Sequence, residues 1–143
     1  MKNRLFGVLM VLIVSMLAVA PVSAQSVKLV ADIPFEFVAG STTFPAGEYS
    51  VEPMGSIGSH VVLVRSTDLR SSAALQTIAV WARDPQAKGK LVFNRYGDTY
   101  FLSQIWSPGY STGRELSKSR LERRLAQSQP NPPKREIAVG GSR

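Results

Sequence analysis

Alternation of apolar and polar residues dominates most of the chain. Over residues 27–37 every odd position is apolar and the charged residues fall on even positions, a period of two that predicts a half-buried strand. Pro34 lies in the outward set and cannot donate to a neighbouring strand, so we expect this strand to run along an edge or to be interrupted there. Extended patterns also predict strands over residues 48–52, 60–65, 73–82, 90–95 and 99–106, the last two joined by a tight turn.

The C-terminal pattern changes from period two to helical spacing. Ser119 and Glu122 have the spacing of a capping box, in which the serine oxygen accepts from the N3 amide and the glutamate reaches back. Leu121 and Leu125 would then share one face of a short helix. Three prolines between residues 130 and 133 stop it, and residues 129–143 contain too few large apolar groups to fold, so we expect that segment to be disordered.

The first residues read as a secretory signal. Lys2 and Arg4 precede an apolar run over residues 5–20, and small residues follow, so cleavage is expected after Ala24 to leave Gln25 first. A retained membrane anchor is the alternative, because the run is near the shortest length that spans a bilayer. We therefore expect an exported protein that is periplasmic or extracellular after cleavage.

Together these elements predict an all-β fold, a small antiparallel barrel or sandwich of about six strands with a short C-terminal helix and a disordered tail. The expected organisation is a signal peptide over residues 1–24, a β domain over 25–113, a basic linker and short helix over 114–128, and the tail over 129–143.

The formal charge of +7 is concentrated near the C-terminus. Residues 25–113 contain seven basic and seven acidic side chains, whereas residues 114–143 contain eight and three. Contact with an anionic surface is therefore expected from this segment, through Arg120, Arg123 and Arg124 of the predicted helix. A solubilising helix docked through its two leucines is the structural alternative. Nucleic acid is disfavoured, because export removes the usual partner and no aromatic residues interleave with these arginines.

Residue types that support catalysis are sparse. The chain has no cysteine and one histidine, His60, which excludes thiol chemistry and leaves no evident metal-ligand set, so we expect no metal and no cofactor. Residues 109–113 match the Gly-x-Ser-x-Gly elbow around Ser111, but the histidine precedes the serine and no second one follows. We therefore expect no catalytic residues there.

Two further clusters have both a functional and a structural interpretation. Four carboxylates of the first hairpin resemble a glycosidase pair only if partners face each other across strands, and a solvated strand face is the plainer interpretation: Asp32, Glu36, Glu48 and Glu52. The last hairpin gathers aromatic and polar side chains that suit a sugar or peptide ligand, or simply pack the sheet: Arg95, Tyr96, Asp98, Tyr100 and Trp106.

Several motifs along the chain are shared with a known group. They are Asp32-Ile33-Pro34-Phe35-Glu36-Phe37 with Gly40, Pro45-Ala46-Gly47-Glu48-Tyr49, Leu91-Val92-Phe93, Arg95-Tyr96-Gly97-Asp98, Tyr100-Phe101-Leu102-Ser103 with Trp106, and Gly113-Arg114-Glu115-Leu116 with Lys118-Ser119-Arg120. On these residues the chain resembles small exported acidobacterial proteins of unknown function, in which a proline often replaces Ser117. The resemblance implies export and a common β-rich fold, and it brings no established activity.

The expected function is a non-catalytic binding or structural module of the bacterial envelope, whose partner is an envelope component or polysaccharide. One alternative is a small exported hydrolase that uses Ser111 or the hairpin carboxylates. The other is a carbohydrate-binding module that uses the hairpin from Tyr96 to Trp106.

Overall fold

The computed structural model describes residues 27–55 and 59–141. The predicted signal peptide, its cleavage site at Ala24 and Gln25, and the last two residues lie outside this range. Eleven strands and one helix make up the described part: β1 Leu29–Ile33, β2 Phe37–Ala39, β3 Thr42–Phe44, β4 Gly47–Pro53, β5 Val61–Ser66, β6 Ser72–Trp81, β7 Lys90–Tyr96, β8 Thr99–Trp106, β9 Thr112–Leu116, α1 Arg120–Ser128, β10 Lys134–Ala138 and β11 Gly140–Gly141. The predicted all-β class with a short C-terminal helix is confirmed.

All six predicted strands are present, as β1, β4, β5, β6, β7 and β8. In β1 the odd-numbered residues are buried. The strand ends before Pro34, which has no backbone N–H to donate to a neighbouring strand. The turn after β7 contains two residues, with Gly97 at a φ of 60°. A glycine at the first turn position is what such a tight hairpin favours.

The predicted number of strands was too low. Residues 39–47, between the predicted strands at 27–37 and 48–52, include part of a tight hairpin between β2 and β3 that turns at Gly40, whose φ is 63°. This hairpin joins the sheet through β2, which pairs in parallel with β8. Strand β9 was also missed, and it crosses the expected domain boundary at residue 113.

One continuous sheet contains the strands in the order β10-β7-β8-β9-β6-β5-β4-β1-β11, with the β2–β3 hairpin attached beside it. The ten-residue β6 allows this, because its first half pairs with β5 and its second half with β9. The strands at the two ends of the order, β10 and β11, are separated in the chain only by Val139. The two ends of the strand order are therefore adjacent in the chain, and the strands form one open multi-stranded sheet.

The prediction of a disordered tail is wrong for residues 134–141. Strand β10 forms five residue pairs with β7, and β11 forms two with β1. The amino-acid composition of this segment did not predict its strands, because most of its side chains are exposed and only Ile137 and Val139 pack on the core. Its ordering comes mainly from backbone hydrogen bonds that satisfy two sheet edges, which no side-chain pattern reveals.

The core is aromatic at its centre. Phe37, Phe44 and Tyr49 are almost completely buried, and their ring centroids lie 5.1 to 5.6 Å apart. The Tyr49 hydroxyl donates to the carbonyl oxygen of Pro45 at 2.5 Å, so its polar end is satisfied inside the fold. The short β2–β3 hairpin thus contributes two of the largest side chains of the core.

Candidate functional site

On each of three neighbouring strands, β10, β7 and β8, the side chains that face the core form a row along the strand. The three rows finish side by side at one end of the sheet. On β7 the row passes through buried Phe93 to exposed Arg95, and on β10 it runs from partly buried Ile137 to exposed Arg135. On β8 it ends at half-buried Tyr100, directly opposite Arg95. Side chains two residues apart on a strand share a face, so both arginines point along the core-facing side rather than the outer side.

These side chains form a compact arrangement with Phe35, which we call the rim cluster: Phe35, Arg95, Tyr100 and Arg135. The Phe35 and Tyr100 rings stack with centroids 4.1 Å apart. The guanidinium carbon of Arg135 lies 4.5 Å from the Phe35 centroid and 5.6 Å from that of Tyr100, and its Nη1 donates to the Tyr100 hydroxyl at 3.3 Å. Arg95 lies 5.7 Å from the Tyr100 centroid.

The hydrogen bonds of the two guanidiniums fix their positions but use few of their donors. Arg95 donates through Nε to the Gly97 carbonyl at 2.8 Å, and its Nη2 lies 3.7 Å from the fully exposed carboxylate of Asp98. Among the described residues, Arg135 has no acidic partner within ion-pair distance. Each guanidinium has five donors, so most of those on Arg135 remain available.

Two of the five predicted hairpin residues are inaccessible. Trp106 is buried, packs its ring against Gly113 and donates through Nε1 to Gln104 at 3.1 Å. Tyr96 is buried beneath the helix. Their rings therefore stabilise the sheet, and of the five predicted residues only Arg95, Asp98 and part of Tyr100 face solvent.

The helix α1 docks through a charged residue. Ser119 caps it by accepting from the Glu122 amide at 3.1 Å, as predicted. The Glu122 carboxylate does not follow the reciprocal half of the capping box, but accepts from Asn94 Nδ2 at 3.1 Å and from the Tyr96 hydroxyl at 3.4 Å. Glu122 is 4% exposed and Leu121 is 51% exposed, so the alternative in which the helix docks through both leucines is wrong.

Burial also affects the tyrosine in this interface. Removal from solvent raises the pKa of Tyr96 above its ordinary value, and the charge and hydrogen bond of Glu122 raise it further. Asn94 Oδ1, on the same side chain that binds Glu122, is buried with no hydrogen-bond partner among the described residues. The helix is thus attached to β7 by a small polar contact rather than by a broad apolar face.

Burial of Glu122 leaves the outer side of α1 strongly basic. Arg120, Arg123 and Arg124 are exposed, and none forms an ion pair with a residue in the part of the chain that the structure describes. We call these three residues the basic helix face. Its location is the one that the sequence predicted for contact with an anionic surface.

The fold does not bring Ser111 together with the histidine that a serine hydrolase would need. Ser111 precedes a strand rather than a helix, and its carbonyl accepts from the amide of Ala82 near the end of β6. His60 contacts Thr77, five residues away along that same strand, a separation of roughly 16 Å. The histidine is therefore too far from Ser111 to act as its base.

The hairpin carboxylates are only partly brought together. Asp32 and Glu48 oppose each other across β1 and β4, and both are exposed on the outer side of the sheet. Glu52 lies four residues away along β4, opposite Leu63 of β5, and Glu36 lies beyond the end of β1. The one facing pair lies in solvent, as the interpretation of a solvated strand face expects.

A small cavity lies between the strands near Arg114 and Glu52, with Val51, Val62 and Ile105 in its wall. Its volume of about 60 Å³ is far below that of a typical small-molecule site. Residues 27–55 and 59–141 contain no group of three or more histidine or acidic side chains suited to a metal ion, and none of their helices is long and apolar enough to cross a bilayer.

No protein-family model matches the chain, and no curated protein or solved structure is significantly similar to it. The resemblance to small exported acidobacterial proteins therefore stays a prediction.

Proposed function

We propose that this protein is a non-catalytic module of the bacterial envelope that binds anionic surfaces through its basic helix face. The observation that supports this proposal is the position of two of the three acidic residues in residues 114–143. Glu122 is buried against Asn94, and Glu136 pairs with Lys90 of β7 at 2.8 Å. These two carboxylates are thus occupied by contacts with the sheet, while three arginines of α1 remain in solvent.

The expected contribution of the basic helix face is large enough to measure. A basic residue near an anionic surface contributes about 1 kcal/mol, so three contribute about 3 kcal/mol, or roughly a hundredfold in affinity. The attraction extends over a Debye length of about 10 Å at 0.1 M salt, so the binding should weaken steeply as ionic strength rises.

Cosedimentation with anionic lipid vesicles and with peptidoglycan tests this proposal. The test variant is Arg120→Gln/Arg123→Gln/Arg124→Gln, and the matched control changes three exposed basic residues of the body, Lys28→Gln/Arg83→Gln/Lys88→Gln. Both lower the net charge equally, and only the helix variant should lose binding. An equal loss by both variants, or salt-insensitive binding by the unmodified protein, would contradict the proposal.

Truncation is unsuitable for this comparison. A chain that ends at Gly113 would lose most of β9, all of α1 and both strands that pair with the sheet edges. Any loss of binding would then reflect unfolding as much as loss of charge. The substitutions leave every strand in place.

Export is the second part of the proposal, and the predicted signal peptide supports it. N-terminal sequencing of the protein purified from an envelope fraction should begin at Gln25. Recovery of an intact Met1 in the membrane fraction would instead identify the first segment as an anchor.

A further inference from the structure

We infer that the rim cluster is a binding site for a single oxyanion group, a carboxylate or a phosphate, carried by the anionic partner. This inference goes beyond the proposed function, because it concerns Arg95 and Arg135 rather than the basic helix face. The two sets of residues lie on different elements, so either can fail without the other.

The position of the arginines within their strands is the first argument. Arg95 follows Phe93 in the inward row of β7, and Arg135 precedes Ile137 in the inward row of β10. Inward positions of a sheet that covers a core are normally filled by apolar side chains. Two arginines at the end of adjacent inward rows place two positive charges at one end of the core.

The second argument is that the guanidiniums are preorganised. Arg135 is held against the ring of Phe35 and bound to the Tyr100 hydroxyl, and Arg95 is held by the Gly97 carbonyl. A side chain that is already ordered loses less entropy when it binds a ligand. The planar fork of arginine also matches the two oxygens of a carboxylate or phosphate.

The third argument is the local balance of charge. Asp98 is the acidic group that approaches Arg95, at 3.7 Å, and its side chain is fully exposed. An exposed pair of this geometry contributes little, so it is readily exchanged for a better-placed anion. Glu136, the acidic neighbour of Arg135 in the chain, is bound to Lys90 and lies on the other side of β10. The cluster therefore carries a local excess of positive charge.

A purely structural role would be to cover the core with the apolar stems of the arginines. That role needs the long side chain and its charge, but it does not need the planar guanidinium group with its paired donors. The charge-conserving substitutions Arg135→Lys and Arg95→Lys separate the two roles, because lysine keeps a long aliphatic stem and the positive charge and loses bidentate recognition.

The test is a two-dimensional NMR titration that follows the Nε–H signals of the arginine side chains in the purified protein. Inorganic phosphate and galacturonate are the probes for the two oxyanions, with sodium chloride at equal ionic strength as the blank. We expect saturable shifts at Arg95 and Arg135, and not at exposed Arg83. The oxyanion that binds more tightly identifies the group, and equal binding indicates a general oxyanion site.

The lysine variants complete the test. Each should weaken oxyanion binding at least tenfold, while Arg83→Lys and the triple glutamine variant of the basic helix face should leave it unchanged. Shifts that appear equally at all arginines, or that persist in both rim variants, would overturn the inference. If a rim variant fails to fold, the shifts in the unmodified protein still decide it, since their absence at Arg95 and Arg135 would refute the site.

Discussion

Replacement of Glu122 by alanine should loosen the C-terminal helix. The carboxylate is 4% exposed and accepts from Asn94 and Tyr96, with no cation bound to it among the described residues. Two effects oppose each other on its removal. The buried donors lose their acceptor, which destabilises the fold, and the desolvation penalty of a buried carboxylate disappears, which stabilises it.

The geometry indicates which effect is larger. A hydrogen bond to a charged group contributes about 1.5–3 kcal/mol, and the Asn94 contact at 3.1 Å is well within range. The Tyr96 contact, at 3.4 Å, is long and should contribute less. Glu122 also lies in the first turn of α1, where a negative charge is favourable. We therefore expect Glu122→Ala to lower the free energy of unfolding by about 2 kcal/mol.

Urea denaturation followed by tryptophan fluorescence and by circular dichroism measures this change. Glu122→Gln is the matched control, because the amide keeps an oxygen acceptor for both donors, and its effect should be less than half as large. Tyr96→Phe removes only the long hydrogen bond and should lower stability by less than about 1 kcal/mol. A Glu122→Ala protein as stable as the parent, or more stable, would show that desolvation outweighs the hydrogen bonds and refute this reasoning.

Three other perturbations follow from the packing. Gly113→Ala should lower stability by about 1–3 kcal/mol in urea denaturation, because the new methyl group would lie 2.6 Å from the buried ring of Trp106. Raising the pH above 10 should destabilise the protein in the same assay. Burial raises the pKa of Tyr49 and Tyr96 in the folded protein above 10.0, so these two hydroxyls lose their protons at lower pH in the unfolded chain than in the folded one. Deletion of residues 134–143 should produce oligomers in size-exclusion chromatography, because β7 and β1 each lose a paired neighbour.

Each of these has an outcome that would contradict it. Gly140→Ala is the control for the glycine substitution, since nothing lies within 4 Å of its added methyl group, and an equal loss in both variants would exclude the clash as the cause. A free energy of unfolding that is constant up to pH 11 would contradict the tyrosine argument. Stability depends on pH only where the folded and unfolded states bind different numbers of protons. A monomeric truncated chain would show that β10 and β11 do not protect the edges.

Prediction from the sequence succeeded where side-chain patterns determine structure. The alternation in β1, the turn after β7 and the serine cap of α1 all depend on neighbouring residues, and each is present. It failed for β10, because that strand buries little and is ordered by backbone pairing with a distant strand.

The candidate site was only partly predictable for a related reason. Arg95 and Tyr100 belong to one hairpin and were recognised together. Phe35 and Arg135 join them through contacts between residues 35 to 100 positions apart in the chain, which no local pattern contains. The burial of Glu122 was equally hidden, because a glutamate beside arginines and leucines predicts an outward carboxylate and an inward leucine.

The C-terminal segment has a consequence for how the protein is made. Because β10 and β11 are translated after all the other described strands, a nascent chain cannot satisfy the edges of β7 and β1 until residues 134–141 have left the ribosome. Pairing between strands this distant in sequence is also slow. Both delays leave two sheet edges unpaired during synthesis, and they concentrate the risk of aggregation in the interval before residues 134–141 emerge.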